Sequence, residues 1–257
     1  MNETMRSSLK NKADQYFPGM YHETMPKVYD IVKSAFKEWK KERTSPPRHD
    51  PLICISRKIG VGSYEIAEMV GKKISCRVYD REILEHLIQS ENEDKSIKEF
   101  LDERCPTGFE TLLARILREK VFKSEDTRLL FKTIFAIANL GPGIFVGRGV
   151  HLILPRNRVL AVRLTCSDKF RSRRVAKMLN IPEPAASTRL NHLDLEQKNF
   201  FKNVYNLKTA HKNEFDMILY MDYFKSPRAA ASVIATAFAE KFKGHKALSG
   251  LTPASPE

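Results

Sequence analysis

The stretch Ile53-Cys54-Ile55-Ser56-Arg57-Lys58-Ile59-Gly60-Val61-Gly62-Ser63-Tyr64-Glu65-Ile66-Ala67 limits what this chain can fold into more than any other. The apolar run Leu52 to Ile55 has the length and continuity of a strand buried on both faces. Gly60 and Gly62 follow and allow a tight turn. Ile66, Ala67, Met69 and Val70 then recur at helical spacing. Strand, glycine loop and helix in this order aim loop amides and the positive end of a helix dipole into one concavity, which can hold a phosphate without side-chain charge. That is the frame of a P-loop. The full G-x-x-x-x-G-K-[ST] pattern is not met, because Arg57 and Ser63 hold the positions of its first Gly and its Lys, and its Ser/Thr is missing as well. On these residues alone two readings stand: a phosphate cradle with altered chemistry, and an ordinary strand-to-helix turn.

The rest of the chain repeats the alternation. Arg77-Val78-Tyr79, Ile144-Phe145-Val146, Val159 to Thr165 and Phe215 to Met221 read as further strands. Between them run helical patterns: Asp80 to about Gln89, Phe109 to Val121, Thr127 to Leu140, a helix capped by Ser167 or Asp168, a long one from Ala185 to Val204, and Pro227 to Phe242. Five strands alternating with helices predict an α/β fold, a three-layer parallel sheet. Pro182 and Pro184 separate two of the helices, a pattern compatible with a movable lid. Upstream, Val28, Ile31, Val32, Ala35, Phe36 and Trp39 predict an amphipathic helix that Ser45-Pro46-Pro47 ends. Packing on the body of the domain is its preferred fate, as a homodimer contact or docked in cis; its lysine-rich face leaves a membrane surface or another partner open. The expected organisation is a helical extension over 1–45, a domain over 46–243 and a disordered tail over 244–257.

Charge and cysteines narrow the function classes. The net charge of +13 favours anions. Basic residues are spread among acids, without a basic tail, aromatic interleaving or a recognised motif, which argues against nucleic acid and for small anions such as nucleotides. Four cysteines without a C-x-x-C pair suit a reducing, cytoplasmic setting, and no apolar run reaches the ~20 residues of a membrane span. Arg148, between Gly147 and Gly149 at a strand's end, can reach a crevice. Arg171, Arg173 and Arg174 follow the next strand, either as phosphate-binding arginines at the ligand edge of the sheet or as a solvated basic helix face.

Several stretches, in register, resemble the cytidylate kinase-like family, relatives of the P-loop nucleoside monophosphate kinases: ICISRKIGVGSYEIA at Ile53–Ala67, VYDREIL from Val78, FVGRG from Phe145, Leu164 to Arg174 with its R-x-R-R ending, and FDMI from Phe215. The resemblance spans about Pro51 to Lys241 and implies ATP-dependent phosphoryl transfer to a nucleoside monophosphate, CMP-like, with Mg²⁺ and a mobile lid. It implies that Gly60, Gly62 and Ser63 meet the ATP β-phosphate, with Arg57 as a further phosphate contact. It also implies that Arg148 holds the acceptor phosphate, that Asp80 and Arg81 line the acceptor pocket, and that Arg171 and Arg174 act catalytically near the lid. Asp80 also suits a helix cap. Where the family form reads D-x-x-R on the lid, this chain has Asp194-Leu195-Glu196-Gln197 with Lys198 next, so Lys198 is the available cation. Glu65, in the first helical turn, is either a ligand for Mg²⁺ or an acid stabilised by the helix dipole. Of the cations beside the missing lysine, Arg57 is expected to serve phosphate better than Lys58. The competing reading is a catalytically inactive nucleotide sensor or interaction protein on the same fold.

Overall fold

The computed structural model describes residues 49–81, 84, 101–102, 125–207 and 211–248. The amphipathic helix expected upstream of Pro46, the stripe at 109–121 and most of the helix after Asp80 lie outside these residues.

Five strands form one parallel sheet: β1 (Leu52–Arg57), β2 (Arg77–Tyr79), β3 (Gly143–Val146), β4 (Val159–Thr165) and β5 (Met217–Tyr220), in the order β2-β3-β1-β4-β5. β1 lies centrally, with Ile53 opposite Ile144 on one side and Leu160 on the other. The inner strands β3, β1 and β4 are mostly apolar because both of their faces are covered, whereas the edge strand β5 leaves Ile218 and Tyr220 exposed. Leu52 and Cys54 of β1, Phe145 of β3 and Val159 and Ala161 of β4 enter one core cluster, together with Phe131, Ile134 and Phe135 of α2 (Glu125–Ala138). The alternate residues Ile53, Ile55, Ile144, Val146, Leu160 and Val162 enter a second, against α1 (Ser63–Ile74) and α5 (Pro227–Lys241). Each fully buried Leu, Ile or Phe stabilises the fold by about 1.5–3 kcal/mol relative to exposure. Helix, sheet, helix: the three-layer arrangement expected from the alternation is the one present.

Two helices outside these layers shape the site. α3 (Asp168–Leu179) is capped by Ser167, whose hydroxyl accepts from the Phe170 amide. α4 (Glu183–Tyr205) starts after the Pro182 break. Val175, Ala176, Ala186 and Leu190 join them in a small third core, and Ile59 of the glycine loop packs against it. The predicted lid pair therefore rests on the loop.

Two boundaries differ from the sequence reading. β5 is shorter than Phe215–Met221, because Phe215 turns its ring onto His151, 4.8 Å between centroids, and Asp216 accepts from the Ala161 amide. Regular structure also continues past Gly244, where composition predicts disorder: Lys246–Leu248 form a 3-10 turn and Leu248 packs on the second core. No described helix is long and apolar enough to cross a membrane.

Candidate functional site

The glycine loop leaves β1 at its carboxyl end and runs into α1. Gly60 and Gly62 have φ of 85° and 86°, the left-handed region that glycine enters at little cost. Space is also tight: a Cβ on Gly60 would lie 3.0 Å from Leu190 Cδ2, and one on Gly62 would push the Arg174 guanidinium aside, 2.9 Å from its Nε. Ser63 is buried at the first position of α1, and Gly62 supplies no side-chain cap. The expected loop conformation is present, and α3 and α4 press on it.

Beside the loop, at the carboxyl ends of the strands, lies a cavity of about 250 Å³ lined by Arg57, Arg81, Arg148, Gln197, Phe200 and Phe201 among others. Arg57 ends β1, Arg81 follows β2 and Arg148 follows β3, so the strand order brings three arginines together. Arg148 is largely buried. Burial first, then the charges of Arg81 and Arg57, push its guanidinium down to about 9. The surroundings thus penalise its positive charge, and an anion in the cavity would offset that penalty. Glu196 is the carboxylate among the lining residues. Asp80 lies just outside the lining; its carbonyl accepts from the Leu84 amide at 3.2 Å, consistent with a helix start.

The remaining expected site residues are tied to one another. Arg171, only 4% exposed, reaches Asp168 at 2.7 Å and Asp194 at 2.6 Å through Nη2. Burial opposes its charge, but the two carboxylates outweigh burial and the net shift is upward. Arg174 donates to Glu65 at 3.0 Å. Lys58 does not stand free in water: its ammonium is 2.9 Å from Asp168 and donates to the Cys166 carbonyl at 3.1 Å. On α4, Lys198 is exposed, while Gln197 turns inward and its Nε2 donates to the Arg57 carbonyl at 3.3 Å. Among the described residues no group of three or more His, Cys, Asp or Glu is placed to hold a metal ion.

Sequence reasoning missed Phe200, Phe201 and Tyr205. Phe200 lies under the Arg148 guanidinium, 4.3 Å from ring centroid to Cζ. The Tyr205 hydroxyl donates to the Arg148 carbonyl at 2.5 Å. A signal for them existed. Leu190, Leu193, Gln197, Phe200, Phe201 and Tyr205 recur on one face at helical spacing, and a glutamine on such a stripe marks a polar cavity wall.

The model of the cytidylate kinase-like family matches residues 52–223, well over half of the chain. Among solved structures, an uncharacterized protein from Eubacterium ventriosum is similar at 16% identity with a TM-score of 0.57, over 74% of this chain and 99% of that one. This is a likeness of fold. Shikimate kinase from Bacteroides thetaiotaomicron overlays more loosely, at 12% identity and a TM-score of 0.39, over 74% of this chain and 96% of that one. No curated protein matches the chain at a significant level.

Proposed function

The chain belongs to the cytidylate kinase-like family, and from that premise we propose that it transfers a phosphoryl group from ATP to a nucleoside monophosphate, CMP-like, with Mg²⁺. One observation carries the reading. Arg57, Arg81 and Arg148, delivered by three different strands, converge on one cavity next to a glycine loop at a helix N-terminus. Two anion-binding devices side by side suit a reaction that brings two phosphates together.

The residues present fit ATP at the loop. The positive φ of Gly60 and Gly62 supports a loop that could cradle a phosphate, to which the first turn of α1 would add its dipole. They fit Mg²⁺ as an ion carried by phosphates and water, since Mg²⁺ commonly takes one or two carboxylates and completes its shell from phosphate oxygens and water. Glu65, the acidic residue in the first turn of α1, would be the carboxylate to hold it, in competition with Arg174. Mg²⁺ would supply neutralisation of charge on the transferred group.

The chain's own contribution is positioning. Arg148, Arg81 and Arg57 would orient the acceptor phosphate by bidentate contacts. Arg174, whose guanidinium lies against Gly62, would offer the loop a cation in place of the P-loop lysine. Arg171 holds Asp194, and with it α4, over the loop, excluding water. Asp80 and Lys198 remain secondary candidates at the acceptor and lid sides.

A second reading, a nucleotide sensor without turnover, draws support from the same ion pairs: Lys58, Arg171 and Arg174 each already have a carboxylate partner. Incubation of a nucleoside monophosphate panel with Mg-ATP separates the two. ADP release dependent on one monophosphate supports the kinase. Saturable binding without ADP supports the sensor, and no binding of any nucleotide removes both.

A further inference from the structure

Arg148 sits in an unusual stretch of backbone. Gly147, Arg148 and Gly149 have φ of 86°, 53° and 67°, three consecutive residues in the left-handed region. For a non-glycine residue that conformation costs about a kilocalorie or more and persists where surrounding structure fixes it. The fixing contacts come from α4. The Tyr205 hydroxyl donates to the Arg148 carbonyl, and a Cβ on Gly149 would lie 2.7 Å from the Tyr205 ring. Burial pushes the Tyr205 phenol up, so it stays a donor at any physiological pH. Phe200, on the same face of α4, supports the guanidinium itself, and its ring meets that of Tyr205 edge-on at 6.2 Å.

The backbone and the charged end of Arg148 are therefore held separately, by two aromatic residues of one helix. That helix also touches the glycine loop through Leu190 and the end of β1 through Gln197. Resting on the functional reading above, we propose that Phe200 and Tyr205 are positioning residues for Arg148, fixing the acceptor-phosphate site from α4. Neither side chain needs to touch the reacting atoms. Tyr205 selects the backbone conformation from which Arg148 enters the cavity, and Phe200 stacks on the guanidinium so that its fork keeps one orientation.

The test uses the full chain with Tyr205→Phe, Phe200→Leu and Phe200→Trp, titrated by calorimetry with ATP and with each common nucleoside monophosphate. Tyr205→Phe removes one hydrogen bond and should weaken the preferred monophosphate roughly fivefold to tenfold. Phe200→Leu should weaken it about threefold or more. Phe200→Trp, which keeps an aromatic face for the guanidinium, should weaken it less than Phe200→Leu does. ATP affinity should stay within about twofold in all three, as the glycine loop is untouched. A second readout needs no nucleotide: the rate at which phenylglyoxal modifies Arg148, mapped by peptide mass with buried Arg158 as internal control. It should rise about threefold or more in Tyr205→Phe and Phe200→Leu. ATP and monophosphate affinities falling together, or parental values for both readouts, overturn the assignment. If the parent binds no monophosphate, the functional reading fails, and the reactivity of Arg148 alone still decides the positioning role.

Discussion

Arg174 Nη2 lies 3.0 Å from Glu65 Oε2, and the same guanidinium lies against Gly62 of the glycine loop. A guanidinium of α3 that lies against the glycine loop is thus held by a carboxylate of the helix that starts there. Both side chains are partly exposed, so the pair contributes about 0.2–1 kcal/mol. That is small against a charged phosphate contact, and Arg174 can exchange one partner for the other.

Glu65→Gln should therefore free Arg174 and tighten ATP binding about twofold to fivefold, with Mg²⁺ and without it. A metal-binding Glu65 predicts another result: weaker Mg-ATP binding with metal-free ATP unchanged or improved. Arg174→Ala should weaken ATP in both conditions. Calorimetric titration of the two variants with and without EDTA distinguishes these cases.

Lys58 and Arg57 are adjacent in sequence yet face different tasks. Lys58 joins β1 to α3 through Asp168 and the Cys166 carbonyl, whereas Arg57 lines the cavity with Arg148. Lys58→Ala should cost about 1 kcal/mol or less of stability, since Asp168 keeps Arg171 as a partner, and should leave nucleotide binding near parental. Arg57→Ala should weaken monophosphate binding at least tenfold, and by at least as much as it weakens ATP. Urea unfolding and titration with both nucleotides check the pair. Equal nucleotide affinities for the two variants would falsify the division of labour.

The fold was largely legible because strand and helix signals are local. Leu52–Ile55 and Val159–Thr165 are unbroken apolar runs, Ser167 and Ser226 cap where the hydrophobic period starts, and Gly141-Pro142 breaks the chain before β3. The cavity was legible in part. Arg148 between two glycines and Arg81 after a strand announce themselves once the strands are placed at one sheet edge. The ion pairs are another matter. Asp194 lies 23 residues beyond Arg171 and Glu65 lies 109 before Arg174, and no local pattern records such pairings. Helical period showed that α4 has an apolar face; it could not show that the face covers both the glycine loop and the arginine-lined cavity. For that reason Lys198, the next cation in sequence, drew attention that the geometry gives to Gln197.

His151 supplies a pH-dependence. It is 4% exposed, stacks on Phe215 and lies 3.3 Å from Glu214. Burial lowers its pKa below the ordinary 6.5; Glu214 opposes the shift, while Arg156 and Arg163 add to it. The unfolded chain therefore binds more protons than the folded one below about pH 6.5, and stability must fall as pH falls through that value. This contribution is complete above pH 6.5. Urea unfolding between pH 8 and pH 5.5 should show the loss, and His151→Gln should flatten it. A parent with the same pH slope as His151→Gln would assign the dependence to other groups.

Gly149 tests how closely the Arg148 turn is fitted to α4. A methyl group there would meet the Tyr205 ring at 2.7 Å, and the residue would have to keep φ near 67°. Gly149→Ala should destabilise the protein by about 2 kcal/mol or more, the sum of left-handed strain and displacement of a packed ring. Gly244, with φ of 84° and nothing within 4 Å of an added Cβ, is the control for strain alone. Gly244→Ala should cost about 1–2 kcal/mol. Thermal unfolding of both variants reads the difference; equal costs would mean that Tyr205 gives way freely.

Gln197 stands where the D-x-x-R pattern expected for the lid would place arginine, and it forms part of a cavity wall that already presents Arg57, Arg81 and Arg148. Gln197→Arg would add a fourth positive charge next to a guanidinium whose charge its neighbours already penalise. Without ligand, like charges repel, so the variant should unfold at a lower temperature than the parent. With a nucleoside monophosphate and ATP bound, the added fork can pair with phosphate oxygens, so the rise in unfolding temperature on adding nucleotides should be larger than in the parent. If the chain turns over, the variant should also raise kcat, because the extra charge acts most strongly on the transferred group. A kinase limited by its missing arginine gives both results. A larger thermal rise without any ADP release identifies a binding protein whose cavity accepts charge but performs no transfer. A nucleotide-induced rise no larger than the parent's would show that position 197 does not face phosphate, and that its amide serves only to hold α4 to the Arg57 carbonyl.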